Sequence, residues 1–242
     1  MNAPDRHLRR SPIYRRHLAL GASFTAFADA AVVTEYGDAR DEQATAVDLA
    51  IADLSVLPRS GFRGKGAAAW LEGHDIGLPS SANKALRQAD GSLVARLSND
   101  EYLLLGNLTD ESGPATRTSA AWSLDTTDHV YDLPRADSHG WLAVTGGHAS
   151  SMLAKVCGVD LRLQKFPDGD VAQTSVARTN AIVIRADRGS CPCFFILGDA
   201  SVTEYLWGAL LDAMREFGGR AIGIAALRAL RKSSTPPINE ED

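Results

Sequence analysis

Two stretches of the chain share one pattern, and this pattern decides the fold. Residues 60–71 read SGFRGKGAAAWL and residues 142–153 read LAVTGGHASSML. When they are superimposed, Gly64 aligns with Gly146, and both stretches place Ala three residues and Leu seven residues later. Each stretch starts as a strand, turns at a glycine and continues as a helix with an apolar face. The sequence therefore predicts a strand–helix unit that occurs twice.

A pair of short apolar strands follows each stretch. After the first stretch, segments 92–97 and 102–106 flank a Ser-Asn-Asp turn. After the second, segments 181–185 and 194–198 flank another polar turn. Such turn residues between strand-like runs are typical of hairpins. The repeated unit is thus strand, helix and hairpin, and it predicts an α+β fold with two similar lobes.

Three further segments are predicted as helices from the spacing of their apolar residues. Segments 14–20 and 39–51 precede the repeat, and a third helix follows it and ends before Gly218. Ser201 and Glu204 have the spacing of a capping box at the start of this last helix.

The predicted domain organisation has a central core and two terminal tails. Residues 232–242 contain two prolines and end in acidic residues, a composition typical of disorder. The predicted boundaries are an N-terminal tail at 1–10, a core at 11–231 with lobe one at about 52–130 and lobe two at about 131–231 packed with 11–51, and a disordered acidic tail at 232–242.

Composition excludes several classes of function. The 242 residues are 45% hydrophobic, and 30 acidic against 25 basic side chains give a formal net charge of −5. An acidic chain lacks the positive field that phosphates require, so we expect no nucleic-acid partner. No stretch is apolar over the roughly 18 residues of a membrane span, so we expect no membrane partner. Three cysteines imply no disulfide framework and favour a reducing, cytoplasmic location.

Several segments resemble one known family in order and spacing. Segments 11–22, 176–179 and 221–231 are similar to the glycine-cleavage T-protein (aminomethyltransferase) superfamily. The second half, including segment 141–144, is most similar to the gamma subunit of heterotetrameric sarcosine oxidase. The resemblance covers residues 11–231 and implies a T-protein-like fold. It also implies that the family's C-terminal β-barrel is lacking, because the chain ends where that barrel would begin.

The resemblance implies two candidate site residues. The family places an Asp-Asp pair before the strand that is 92–97 here, and this chain reads Asp90-Gly91. Asp90 is the candidate catalytic carboxylate, which would orient the amine that attacks the one-carbon unit. Asn107 matches a family asparagine near folate and is the candidate folate-binding residue. The alternative for both residues is a local role in turns or caps, which is common for Asp-Gly and Asn.

One anchor of the family's folate site is missing from the sequence. The family holds the pterin ring with a glutamate in a Gly-Tyr-Thr-Gly-Glu stretch that follows Ala-Arg-Thr. Here the Ala-Arg-Thr at 177–179 is followed by NAIVI at 180–184, which contains no acid. The ring's donors would stay unpaired without this acceptor, a penalty of about 1–3 kcal/mol. We therefore expect that this chain alone lacks a complete site for one-carbon transfer.

The remaining motifs predict no further cofactor site. Cys191 and Cys193 lack the two-residue spacer usual in zinc sites, and Cys157 is the remaining thiol, so no metal site is expected. The glycines near Lys65 do not match a phosphate loop, because Gly66 stands where Ser or Thr is needed. No dinucleotide fingerprint follows a strand, so we expect no NAD or FAD on this chain.

These observations lead to a functional hypothesis with open alternatives. The resemblance implies a gamma-type, non-catalytic subunit of a sarcosine-oxidase-like flavoenzyme that oxidatively demethylates N-methylated amines with tetrahydrofolate-linked one-carbon transfer. Its expected partners are larger alpha and beta subunits that carry FAD, FMN and NAD, while tetrahydrofolate binding by this chain stays open. One alternative is a free-standing tetrahydrofolate-dependent aminomethyltransferase or demethylase. The other is a folate-binding scaffold for iron–sulfur repair.

Overall fold

Two β-sheets and the helices around them form the body of the protein. The computed structural model describes residues 4–125 and 128–230. The whole of the predicted C-terminal tail at 232–242 therefore lies outside the described residues. The strands are β1 (Ser23–Phe27), β2 (Ala30–Glu35), β3 (Ala50–Asp53), β4 (Arg59–Arg63), β5 (Lys84–Arg87), β6 (Leu93–Ser98), β7 (Glu101–Leu105), β8 (Tyr131–Leu133), β9 (His139–Thr145), β10 (Val171–Val176), β11 (Thr179–Arg185), β12 (Cys193–Asp199) and β13 (Arg220–Ala221). The α-helices are α1 (Tyr14–Ala19), α2 (Ala39–Asp48), α3 (Ala67–Glu72), α4 (Pro114–Ala121), α5 (Arg135–Ser138), α6 (Ala149–Leu153), α7 (Thr203–Met214) and α8 (Ile224–Leu230), with 3₁₀ turns at Pro4–Arg6, Ala200–Val202 and Arg215–Phe217.

The strands are arranged in a large sheet, a small sheet and a separate hairpin. The large sheet has the order β10-β11-β12-β9-β3-β13, and the small sheet has the order β5-β6-β7-β4-β8. Neighbouring strands are antiparallel except for β13, which runs parallel to β3. Strands β1 and β2 form the separate hairpin.

The predicted repeat is present, with one copy in each sheet. In the small sheet β4 leads into α3 and then the hairpin β6–β7, and in the large sheet β9 leads into α6 and then the hairpin β11–β12. The aligned glycines Gly64 and Gly146 both have a positive φ, of 131° and 110°. A Cβ at either position would collide with a backbone carbonyl, of His129 and Asp48 respectively. Glycine is therefore required at the same turn of both copies.

The sheets face each other and bury a shared core. Alternate residues along each strand point to opposite faces, so each sheet contributes one row to this core and one to a helix-covered outer face. The shared core includes Trp141, Phe195 and Leu197 from the large sheet and Leu93, Leu103 and Leu105 from the small sheet. The outer face of the large sheet packs on α6 and α7, and that of the small sheet packs on α3 and α4.

Two details of the predicted elements are wrong. The helix predicted at 39–51 ends at Asp48, and Ala50–Asp53 is the buried strand β3 between β9 and β13. A short apolar run in a central strand has no periodicity that separates it from a helix, which explains the error. The capping box is also wrong, because the Ser201 hydroxyl donates to Asp199 Oδ1 (2.6 Å) and α7 starts at Thr203 without a side-chain cap.

Residues near the N-terminus contact the body. The Arg9 guanidinium donates to Asp29 Oδ1 at 2.8 Å and to the Val56 carbonyl at 2.9 Å. The predicted domain boundaries, including the tail at 1–10, stay predictions. Among the residues that the structure describes, none of the helices has the length and apolar character needed to span a membrane.

Candidate functional site

The two residues predicted from the resemblance lie side by side at one end of the small sheet. Asp90 precedes β6 and Asn107 follows β7, and these strands are antiparallel neighbours. The side-chain amide of Asn107 donates to Asp90 Oδ2 at 3.4 Å. Asp90 is exposed and Asn107 is buried. The fold therefore brings the candidate carboxylate and the candidate amide together.

Both side chains also serve the local backbone. Asp90 Oδ1 accepts hydrogen bonds from the amide (2.9 Å) and hydroxyl (2.6 Å) of Ser92. Asn107 Oδ1 accepts from the amides of Thr109 (2.8 Å) and Asp110 (2.6 Å). These contacts are those of Asx turns at the ends of a hairpin. Each residue therefore has the local turn role that was its alternative to a role in catalysis or folate binding.

The segment that replaces the family's glutamate stretch forms strand β11. Ile184, the fifth residue after Thr179, is completely buried. Its cross-strand neighbours are Val171 on β10 and Phe195 on β12, and all three belong to the core between the sheets. This position is packed with hydrocarbon and offers no acceptor to a polar ring.

A cleft of about 510 Å³ opens beside that core. His139, Gln173 and Asn180 are polar side chains in its wall, while Ile182 and Leu197 are apolar ones. The size is within the range of small-molecule sites, and the lining is mixed in polarity.

His139, a half-buried residue of the cleft wall, is held in one protonation state. Burial, followed by the charges of Arg135 and Arg59, lowers the pKa of His139 to about 4. Its Nε2 accepts from Arg135 Nη1 at 3.4 Å, and its Nδ1 lies 2.8 Å from the Ser138 hydroxyl, which donates to the Pro134 carbonyl at 2.9 Å. The ring is therefore neutral at pH 7, with its proton on Nδ1.

A buried hydrogen-bond network surrounds Asp53, the last residue of strand β3. His17 Nε2 is 2.8 Å from Asp53 Oδ2, which also accepts from the Ser11 hydroxyl, and the Tyr36 hydroxyl is 2.7 Å from His17 Nδ1. The amide of Ser55 donates to Asp53 Oδ1 at 2.9 Å. No sequence pattern predicts this network, because its members are up to 42 residues apart and no motif links them.

The network is built to keep Asp53 ionised rather than to activate a nucleophile. Burial raises the pKa of Asp53, but the hydrogen bond and charge of His17 and the Ser11 hydroxyl outweigh burial, so the net pKa is lowered. Burial, with the charges of Asp53 and Glu42, raises the pKa of Tyr36. Ser11 donates to a carboxylate instead of to a histidine, so the arrangement lacks the nucleophile–base contact of covalent catalysis.

The thiols and potential metal ligands give no additional centre. Cys157, Cys191 and Cys193 are free and buried. Burial raises the pKa of Cys193 to about 12 and also raises that of Cys191. Within residues 4–125 and 128–230, no cluster of His, Cys, Asp or Glu side chains has the arrangement of a metal site.

Comparison with models of protein families shows to which family this chain belongs. The model of the GCVT N-terminal domain matches residues 83–241. The chain belongs to the GCVT N-terminal domain family. The chain is also similar to aminomethyltransferases, so the resemblance to that superfamily is confirmed.

Two curated relatives cover both branches of the resemblance. The chain is 25% identical over 95% of its length to an aminomethyltransferase of Saccharopolyspora erythraea and spans 65% of that relative. It is 28% identical over 70% of its length to the sarcosine oxidase gamma subunit of Corynebacterium sp. (strain P-1), of which it spans 77%. The chain therefore spans about two thirds of the aminomethyltransferase and a larger part of the gamma subunit.

Two solved structures have the same fold as this GCVT domain. A chain of the heterotetrameric sarcosine oxidase from Corynebacterium sp. U-96 matches with a TM-score of 0.63 and 26% identity, covering 87% of this chain and 97% of that one. The glycine cleavage aminomethyltransferase T from Bartonella henselae matches with a TM-score of 0.70 and 20% identity, covering 93% of this chain and 62% of that one. The predicted mixed α and β fold of T-protein type is confirmed, as is the similarity to sarcosine oxidase gamma subunits.

Proposed function

We propose that this chain is a gamma-type subunit, without a complete active site of its own, in a cytoplasmic sarcosine-oxidase-like flavoenzyme. That enzyme would oxidatively demethylate N-methylated amines and pass the one-carbon unit to tetrahydrofolate. Larger alpha and beta subunits would carry FAD, FMN and NAD. In this proposal the two sheets are the centres of two lobes, with the boundaries expected from the sequence.

The identity and complete burial of Ile184 are the observation that carries the proposal. At the position where the resemblance places the pterin-binding glutamate, this chain has a fully buried isoleucine between Val171 and Phe195. A pterin ring needs an acceptor for its amino and imino donors, and a carboxylate supplies two parallel acceptors. The apolar packing here supports a protein that does not bind the ring by itself.

The solved heterotetramer supports the assembly. The matched chain of that sarcosine oxidase is covered almost completely, at 97%, whereas the matched aminomethyltransferase chain is covered at 62%. At 26% identity over 87% of this chain, that similarity supports a place for this chain in a heteromeric oxidase.

One observation favours the alternative of a tetrahydrofolate-dependent aminomethyltransferase or demethylase. The Asp90 carboxylate and the Asn107 amide are in contact at 3.4 Å, and Asp90 is exposed. In this alternative Asp90 would act on the attacking amine and Asn107 would contact folate.

Calorimetric titration of the purified chain with tetrahydrofolate separates the two functions. The subunit proposal predicts no saturable heat in the micromolar range. Micromolar binding that Asp90→Ala abolishes, and that Asp110→Ala leaves unchanged, would instead assign the chain to the alternative. Asp110 is a matched control because it is an exposed acidic residue of the same region that caps a turn through Ser112.

A further inference from the structure

A second cavity of about 280 Å³ lies beneath the N-terminal segment, between the loop that follows β3 and the segment that precedes β9. Three arginines, Arg9, Arg10 and Arg59, contribute to its wall, and Asp137 is the acidic side chain there. His139 also lines it and is neutral at pH 7. The lining therefore carries more positive than negative charge.

Arg59 supplies a buried charge at this cavity. Only 6% of Arg59 is exposed, and each of its five N–H groups donates to a backbone carbonyl. The acceptors are the carbonyls of Ser55 (2.8 Å), Leu57 (3.0 Å), Arg135 (3.0 Å), Ala136 (2.6 Å) and His139. No carboxylate of the described residues forms an ion pair with this guanidinium. Its positive charge is thus solvated by carbonyl dipoles, and the charges of Asp53 and Asp137 act on it without forming an ion pair.

Arg10 supplies donors that are not already used. Arg9 is bound to Asp29 and to the Val56 carbonyl, whereas Arg10 is exposed and lies over the Tyr14 ring at 5.1 Å. Arg10 makes no ion pair within the described part of the chain. Its planar fork can bind a carboxylate through two parallel hydrogen bonds.

The rest of the wall fits an aliphatic stem. Leu8 is 88% exposed at the rim, and Pro12 and Val56 are apolar neighbours in the lining. We propose that this cavity, defined by Arg10, Arg59 and Leu8, is a binding site for a monocarboxylate on a short aliphatic chain. A free organic acid and a glutamate side chain of another polypeptide share this chemistry. Arg10 would donate to the carboxylate, whereas Arg59, whose donors are all used, would act only through its charge. A dianion such as phosphate is disfavoured, because Asp137 repels two negative charges more strongly than one.

Ligand-observed NMR at constant ionic strength tests this site. The probes are acetate, the glutamate derivative Ac-Glu-NH2 and its neutral counterpart Ac-Gln-NH2. Arg10→Gln removes the available fork, Asp137→Asn removes the repelling charge, and Arg15→Gln is the matched control. Arg15 lies over the same Tyr14 ring at 5.6 Å but does not line the cavity.

We expect saturable binding of Ac-Glu-NH2 that weakens at least tenfold in R10Q, tightens severalfold in D137N and stays unchanged in R15Q. Acetate binding of equal strength assigns the site to free acids, and tenfold tighter Ac-Glu-NH2 binding assigns it to a polypeptide side chain. Absence of binding by both acids, equal binding of Ac-Gln-NH2, or an R10Q variant that binds like the wild type would overturn the proposal. Thermal unfolding checks that R10Q is folded, which is expected because Arg10 is exposed and not ion-paired.

Discussion

Replacing Ile184 by glutamate returns a carboxyl group to the position where the resemblance places the pterin-binding acid. The isoleucine is fully buried, so its loss removes about 1.5–3 kcal/mol of hydrophobic stabilisation. Burial of a neutral carboxyl group without a partner costs about 1–3 kcal/mol more. We therefore expect I184E to lower the free energy of unfolding by about 2.5–6 kcal/mol while the new group is protonated.

The charge of the new side chain adds a dependence on pH. Burial raises the pKa of a carboxyl group above its unfolded value of about 4.3. The folded state then keeps a proton that the unfolded state has released, so stability falls as the pH rises from the unfolded pKa to the folded one. The slope is about 1.4 kcal/mol per pH unit. Ile184→Gln has a similar shape and does not titrate, so it is the matched control.

Urea unfolding followed by circular dichroism measures both effects between about pH 5 and pH 8. I184E and I184Q should be similarly destabilised at the acidic end, and I184E should become progressively less stable than I184Q as the pH rises. If I184E were as stable as the wild type at neutral pH, the side chain would have access to solvent. The reasoning that this position is closed to a pterin-binding acid would then be refuted.

Three other predictions concern buried or half-buried groups. Asp53→Asn should lower the free energy of unfolding at pH 7 by about 1.5–3 kcal/mol, since it removes a charged acceptor, and urea unfolding should show this loss disappear as the pH falls through the lowered pKa of Asp53. The exposed pair of Arg9 and Asp29 provides the control, because D29N should change stability by less than about 1 kcal/mol. The His139 imidazole should stay neutral down to about pH 4 in an NMR titration, and a midpoint near 6.5 would contradict its burial beside two arginines. Cys193 should resist a thiol reagent in the native protein and react once urea unfolds it, because its pKa is raised to about 12, and rapid native labelling would disprove this.

Local patterns were sufficient to predict the repeated unit. The aligned glycines, the apolar faces of the helices and the hairpin turns are encoded within a few residues, and α3, α6 and both hairpins are present. Strand β3 was mistaken for the end of a helix because all four of its residues are buried. Its structure is determined by pairing with β9 and β13, which are distant in sequence.

The candidate sites were only partly predictable, for the same reason. Asp90 and Asn107 were found through the resemblance, and their contact follows from the hairpin that joins them. The clamp of Arg59 on the carbonyls of residues 135–139 and the bond between Ser11 and Asp53 join residues that are 76–80 and 42 positions apart. No spacing rule in the sequence connects such residues, so the basic cavity and the buried network required the three-dimensional structure.

Purification of the assembly that contains this chain, under native conditions and through an affinity tag on the chain, tests the central claim most directly. The account predicts larger subunits in fixed stoichiometry with the chain, a bound-flavin absorbance spectrum, and oxidation of an N-methylated amine by the purified assembly. A chain that elutes alone, free of flavin, and that binds tetrahydrofolate by itself would contradict the account.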